Sequence, residues 1–274
     1  MTSILSNIPK NCDVEKIIPY GSRTILVYYV RDNKRKIVKY SNLYNDIRNM
    51  LEEIKIIDYL QSIDDPRKEF ITKYTLYNYE HRLIEMDRID GEDMDDLVNN
   101  KLIFNVESIT YIGYEMIMLI NFIHMHGVSL RDIKFANFIL TLSGHIYLFD
   151  FGLSCFIDKT ITDVTFHRSN LKIVGTIDYM APEVIDTKIT QLEDWYPADI
   201  FSFGVCMTEL MTLRTHNKSD LISGEWQNDI MKYSHHDDVI LLVQSCLNMN
   251  PLDRPTSIQI MDRLSDICMS LDKK

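Results

Sequence analysis

Cysteine is sparse and badly placed for cross-linking. Five residues, Cys12, Cys155, Cys206, Cys246 and Cys268, are an odd number scattered over 274 positions without metal-ligand spacing, which argues against a disulfide framework and against a zinc site. Cys155 is read as a structural thiol, with a reactive thiol as the other reading, because no sequence neighbour obviously lowers its pKa. A signal-peptide pattern is missing, and no apolar run approaches the length needed to cross a bilayer. The expectation is therefore a cytoplasmic or nuclear protein without membrane contact. Internal repeats, low-complexity tracts and flexible linkers are absent from the sequence as well. Basic residues are in deficit, 29 against 40 acidic ones, for a formal net charge of −11. That balance argues against nonspecific nucleic-acid binding and is compatible with basic protein substrates. The length suffices for a sizeable core, arranged as one large domain or as two lobes sharing a cleft.

What is present concentrates between Val128 and Gly152, in VSLRDIKFANFILTLSGHIYLFDFG. Asp132, Lys134, Asn137 and Asp150 fall within this short stretch, and an apolar run from Ile146 to Phe149 leads into the last of them. Two carboxylates, an ammonium and an amide suit phosphate and magnesium, a hard ion that takes one or two carboxylates together with substrate phosphates. Asp150 with Asn137 supplies such a share, which leaves Asp132 as a base. A polar turn between a helix and a hairpin explains Asp132 or Asn137 singly. It does not explain the ordered series. LRDIKFAN followed by DFG resembles the catalytic loop and metal-binding motif of eukaryotic-type protein kinases.

The resemblance implies an α+β fold of two lobes. A small, mainly antiparallel β-sheet lobe with one key helix would span 1–86, a hinge 87–91, and a larger, mainly helical lobe 92–274, all within a single protein kinase domain. It further implies an ATP-dependent serine/threonine kinase using magnesium, with manganese as an alternative ion, acting on protein hydroxyls as a monomer. The same fold used without transfer, as a pseudokinase that binds nucleotide or a protein partner, is the alternative.

Taken in order, β-branched runs and turn residues predict strands over Val14–Ile18, Thr24–Val30 and Lys36–Tyr40, with a charged turn at Asp32–Arg35. Where the family carries a glycine-rich loop over the ATP phosphates, residues 19–24 read PYGSRT and keep only Gly21. Pro19 has no N–H to offer and Thr24 carries a branched side chain, so the grip on ATP is expected to be weaker or differently shaped. Lys39 resembles the lysine that holds the α- and β-phosphates. Apolar spacing predicts a helix over residues 42–62, in which Glu53, or Glu52 by a one-residue slip, would pair with Lys39.

Strands are expected at Phe70–Leu76 and Arg82–Met86. Met86 then takes the gatekeeper position, and Asp87 and Arg88 begin the link whose backbone would bind adenine. Asp93 falls near the ATP ribose or a basic substrate side chain in that resemblance. An acidic helix start is the equal reading. A long helix is expected over Val106–His126, with His124 and His126 as cap or core residues. Leu130 stands where the family has a histidine, and Ala136 replaces a glutamate that often selects basic substrates.

Thr160, Thr162, Thr165 and Ser169 precede VGTIDYMAPEV, which resembles the end of an activation segment. Arg131 would receive a phosphate on one of these hydroxyls, with a constitutively ordered loop as the other reading. Lys134 and Thr176 point to serine or threonine as acceptor. Asp199, within DIFSFGVCMTEL, would brace the catalytic loop, and Arg254 would pair with Glu183.

Overall fold

The structure is a computed structural model describing residues 12–20, 24–41, 47–78, 80–102, 104–157, 173–186, 188, 195–230 and 236–271. Gly21, the start of the helix expected from residue 42, and the hydroxyls of Thr160, Thr162, Thr165 and Ser169 lie outside the described residues. Two compact units divide the chain, Met1–Asp90 and Gly91–Lys274, and the boundary falls within the 87–91 segment.

The first unit is a five-stranded antiparallel sheet with one helix. Strands β1 (Asp13–Tyr20), β2 (Thr24–Arg31), β3 (Lys34–Ser41), β4 (Tyr74–Asn78) and β5 (Leu83–Asp87) lie in the order β1-β2-β3-β5-β4. The charged turn shrinks to Asp32 and Asn33, with φ of 52° and 60°. Positive φ at both central residues is what a two-residue hairpin matched to strand twist requires, and Asp and Asn tolerate it. Lys34 therefore already belongs to β3.

Side chains alternate across this sheet, and the two faces bury different things. Val27, Tyr29, Val38, Tyr40 and Leu83 form one apolar cluster. Ile84 and Met86 face the other way and pack on Met50 and Ile54 of α1 (Ile47–Ser62), with Ile37 and Tyr74 beside them. Ile56, Ile57 and Leu60 of α1 are fully buried too, each contributing roughly 1.5–3 kcal/mol of transfer free energy.

One sequence expectation needs correcting here, and one feature was not expected at all. Pro66–Phe70 is a short 3-10 helix, not the start of a strand, and β4 begins only at Tyr74. The cause is Asp65, whose carboxylate accepts the Arg67 N–H at the helix start just before a proline that pre-sets the first turn. The unexpected feature, invisible in the sequence, is a buried polar network around Glu85. Its carboxylate accepts from the Tyr29 hydroxyl, from Arg31 at 2.9 Å and from the Thr75 hydroxyl at 2.9 Å. Lys36, also buried, lies 3.8 Å from Glu85 and 2.6 Å from Asp87. Burial and the adjacent Glu85 push the Tyr29 hydroxyl pKa well up, so Tyr29 stays a donor.

The second unit is mostly helical: α2 (Met94–Asn99), α3 (Val106–Met125), α4 (Pro182–Ile185), α5 (Trp195–Thr212), α6 (Lys218–Ser223), α7 (Asp237–Cys246) and α8 (Ser257–Leu271). A three-stranded sheet, β6 (Gly91–Asp93), β8 (Phe138–Thr141) and β9 (Ile146–Leu148), and the ladder of β7 (Val128–Ser129) with β10 (Cys155–Phe156) frame the loops between them. Asn105 caps α3 by accepting the Ser108 N–H at 3.0 Å. By length and composition α3 could cross a bilayer, contrary to the expectation that no segment reaches that length, but 67% of its apolar window is buried inside the protein. Helix α5 is buried along nearly its whole length, with Phe201, Phe203, Val205, Cys206 and Met207 inaccessible or nearly so. It forms the axis on which the loops of this unit are hung.

Candidate active site

In the first unit, β3 and α1 bring two charged side chains together on the helix-covered face. Lys39 Nζ donates to both oxygens of the buried Glu53 carboxylate, at 2.8 and 3.0 Å. The Tyr74 hydroxyl adds a third hydrogen bond at 2.6 Å, from a residue that no local motif marks out. Glu52 instead meets Lys55 at 3.4 Å on the exposed side of α1, so geometry selects Glu53 between the two. Three hydrogen bonds on one buried carboxylate fix both the carboxylate and the ammonium that faces it.

Met86 is buried on β5, and its sulfur lies 3.6 Å from the Thr72 hydroxyl. Asp87 ends the strand and pairs with Lys36. Arg88 donates its backbone N–H to the Arg35 carbonyl at 3.1 Å, and its guanidinium reaches Glu15 at 3.0 Å and the Tyr28 ring at 5.6 Å.

In the second unit the loop carrying Asp132 and Lys134 meets Thr176, 44 positions after Asp132. The Thr176 hydroxyl donates to Asp132 Oδ1 at 2.7 Å. Lys134 Nζ bridges, 2.8 Å from Asp132 Oδ2 and 2.9 Å from the Thr176 oxygen. Both carboxylate oxygens of Asp132 are thereby oriented. Asn137, buried, donates its amide to the Asp132 carbonyl at 2.8 Å and accepts the Phe149 N–H on its own carbonyl at 3.1 Å. Asp150 sits at φ 69° and accepts the Gly152 N–H at 3.0 Å.

The frame behind these groups is Asp199, on α5 and 1% exposed. It accepts the backbone N–H groups of Leu130 and Arg131 at 2.9 and 2.8 Å and the Ser129 hydroxyl at 2.7 Å, and His124 Nε2 lies 2.9 Å away. His126 closes α3, with Nδ1 2.7 Å from the Phe122 carbonyl. Leu130 is buried. An apolar side chain therefore occupies its position without stranding a polar group. Cys155 is buried as well, and burial raises its thiol pKa to about 11, which favours the structural thiol over the reactive one.

Asp93 caps α2, accepting the Asp95 N–H at 2.9 Å. Burial raises its carboxyl pKa to about 6. The folded state thus holds this proton more tightly than the unfolded chain does, so the contribution of Asp93 to stability falls as pH rises from about 4 to about 6. Asp93→Asn, which keeps the cap acceptor and removes the charge, is expected to match the parent near pH 4 and exceed it at pH 8. Asp93→Ala is expected to lose about 1 kcal/mol of capping at the acid end. Thermal unfolding of the three proteins at both pH values checks this, and an Asn variant less stable than the parent at pH 8 would contradict it.

Among the described residues no group of three or more His, Cys, Asp or Glu side chains is placed to hold a metal ion by itself. One carboxylate, Asp150, and one amide, Asn137, nevertheless fit magnesium shared with substrate phosphates, since that ion keeps most of its ligands from water and phosphate. Because Asn137 Nδ2 is the atom that donates to the loop carbonyl, the amide oxygen is turned the other way.

The family described as protein kinase domain matches residues 22–264. A probable serine/threonine-protein kinase, mkcF, of Dictyostelium discoideum is 26% identical over 264 residues, covering 93% of this chain and 36% of the relative. Serine/threonine-protein kinase Nek9 of Xenopus laevis is 28% identical, covering 79% of this chain and 22% of its own length. Ribosomal protein S6 kinase alpha-2 of Mus musculus is 31% identical, covering 70% and 24%. The chain thus spans well under half the length of these relatives. A match over most of the chain, carried by an α+β architecture with an antiparallel sheet unit and a mostly helical unit, shows that it belongs to the protein kinase family.

Proposed function

We propose that the chain is an ATP-dependent serine/threonine protein kinase that transfers the γ-phosphate to a protein hydroxyl. The observation that carries this reading is the Asp132, Lys134 and Thr176 cluster, in which a carboxylate has both oxygens oriented and an ammonium held beside it. Phosphoryl transfer passes through a loose transition state, so the protein contributes positioning and charge compensation more than covalent chemistry.

In this reading Asp132 orients the substrate hydroxyl and accepts its proton, and Lys134 offers positive charge to the phosphoryl group in transit. Lys39, fixed by Glu53, holds the α- and β-phosphates. The backbone about Asp87 and Arg88 takes the adenine beside Met86, and Asp93 and Gly21 complete the nucleotide contacts. Asp150 and Asn137 hold magnesium, which when bound neutralises charge on the β- and γ-phosphates. Protein substrates follow from the family. Lys134 and Thr176 support serine or threonine as the acceptor.

Transfer of labelled γ-phosphate from ATP to generic acidic and basic proteins, with magnesium and then manganese, tests the proposal. Asp132→Asn is expected to lower transfer by about 10²–10⁴-fold, with label on serine and threonine in the parent. Equal transfer by parent and variant would remove Asp132 from the role of base. Pro19, Thr24 and Leu130 favour a second reading, a pseudokinase, and nucleotide-dependent thermal stabilisation of a parent that transfers nothing would select it.

A further inference from the structure

Arg131 precedes Asp132 and holds φ at 62°, a left-handed conformation that a long side chain adopts at a cost. Such a conformation persists only where the surroundings over-determine it. Four neighbours surround it. The Arg131 backbone N–H goes to Asp199 Oδ1 at 2.8 Å. Its Nε donates to the Leu153 carbonyl at 2.6 Å, which ties it to the segment just after Asp150. The backbone at Gly175 packs so close that a Cβ there would stand 2.7 Å from the Arg131 carbonyl oxygen. The guanidinium carbon lies 5.2 Å from the ring centroid of Trp195, the first residue of α5, which is itself 2% exposed.

The next residue of α5 repeats the device. The Tyr196 ring packs on His124 with centroids 4.7 Å apart, and His124 is a further partner of Asp199. The start of α5 therefore sets aromatic rings against Arg131 and His124, which both bond Asp199, one through its backbone N–H and the other through its ring. A cation held over a buried indole is attracted by the ring quadrupole, and desolvation strengthens that attraction.

We infer that Trp195 is a positioning residue for phosphotransfer, acting through the Arg131 guanidinium to hold Asp132 and the segment after Asp150 in register. This rests on the kinase reading for its catalytic consequence, but the geometric part does not. Trp195→Leu removes the aromatic face while keeping an apolar side chain, and Trp195→Phe keeps a ring. In the full chain, Trp195→Leu is expected to lower kcat about tenfold with KM for ATP unchanged, and Trp195→Phe to restore most of it. Hydrogen exchange of the peptide spanning 128–137 is expected to accelerate in Trp195→Leu and to stay slow in Trp195→Phe.

Loss of thermal stability in both variants with kcat and loop exchange at parental values would reduce Trp195 to packing and overturn the inference. Should Trp195→Leu fail to fold, Arg131→Met removes the other half of the contact, and parental loop exchange in that variant would overturn it equally. A parent that transfers no phosphate would sink the kinase reading instead. In that case the exchange difference between the Leu and Phe variants still decides whether Trp195 positions the loop.

Discussion

Replacing Arg254 by methionine is expected to lower the unfolding free energy by about 3–5 kcal/mol, because it strands a buried charge. The Arg254 guanidinium is inaccessible to solvent and meets Glu183 through two parallel bonds, at 2.6 and 2.8 Å. Its Nε donates to the Asn248 carbonyl at 2.8 Å, Nη1 donates also to the Pro197 carbonyl at 2.9 Å, and its guanidinium carbon lies 5.0 Å from the Phe201 ring centroid. One side chain thus links α4, the start of α5 and the segment before α8. Methionine fills much of the volume but leaves the Glu183 carboxylate and two carbonyls without donors. The loss should then be recovered in large part by Glu183→Met in the same chain, since removing both charges removes the desolvation cost that the pair offsets. Urea unfolding of the parent, the single variants and the double variant measures both statements. A loss under about 1 kcal/mol in Arg254→Met would show that water reaches Glu183 and that the pair is not buried in solution.

Arg254 and Glu183 were legible in the sequence because each sits in a motif. As candidates, Asp132, Lys134, Asn137 and Asp150 stand out in the same way, being close in sequence and of restricted chemistry. Helices α1 and α3 were legible for a different reason: apolar residues recur at helical spacing over more than four turns, which a strand cannot satisfy. Boundaries were less so. Phe70 looked like strand because it is apolar and precedes Ile71, yet Asp65 and Pro66 had already set a helical turn.

Partners that meet only through the fold left no local trace. Glu85 lies between apolar residues in LIEMD, and alternation alone cannot say whether its face is wet or buried. Its donors come from 10 to 56 residues away, on two other strands. Tyr74 escaped for the same reason, and so did Trp195, whose indole is explained by a guanidinium 64 positions earlier. Periodicity reports which residues share a face of one element. It does not report which element covers that face.

On the proposed reading as a kinase, Gly175→Ala is expected to cost about two orders of magnitude in phosphotransfer, since displacement of a positioned group by about 1 Å is enough for a loss of that size. Two independent constraints act at this residue. Its φ of 120° is a backbone conformation that L residues rarely adopt, and a Cβ built there would stand 2.7 Å from the Arg131 carbonyl oxygen. A backbone atom cannot swing aside as the end of a flexible side chain can. Either residue 175 leaves the left-handed region or the catalytic loop backs away, and both responses act on the next residue, Thr176. Thr176 supplies the hydroxyl that holds Asp132 Oδ1 and receives Lys134, so the carboxylate loses its orientation whichever segment yields. The Met180 side chain, 3.5 Å from the same point, leaves no easier direction. Global stability should fall by about 1–3 kcal/mol, the usual cost of holding a sparsely populated conformation. The diagnostic is therefore a kcat that falls far more than the folded fraction does at the assay temperature. Parental kcat in a folded Gly175→Ala protein would show that Thr176 and Asp132 reach their working geometry by a route that does not need Gly175 packed on Arg131.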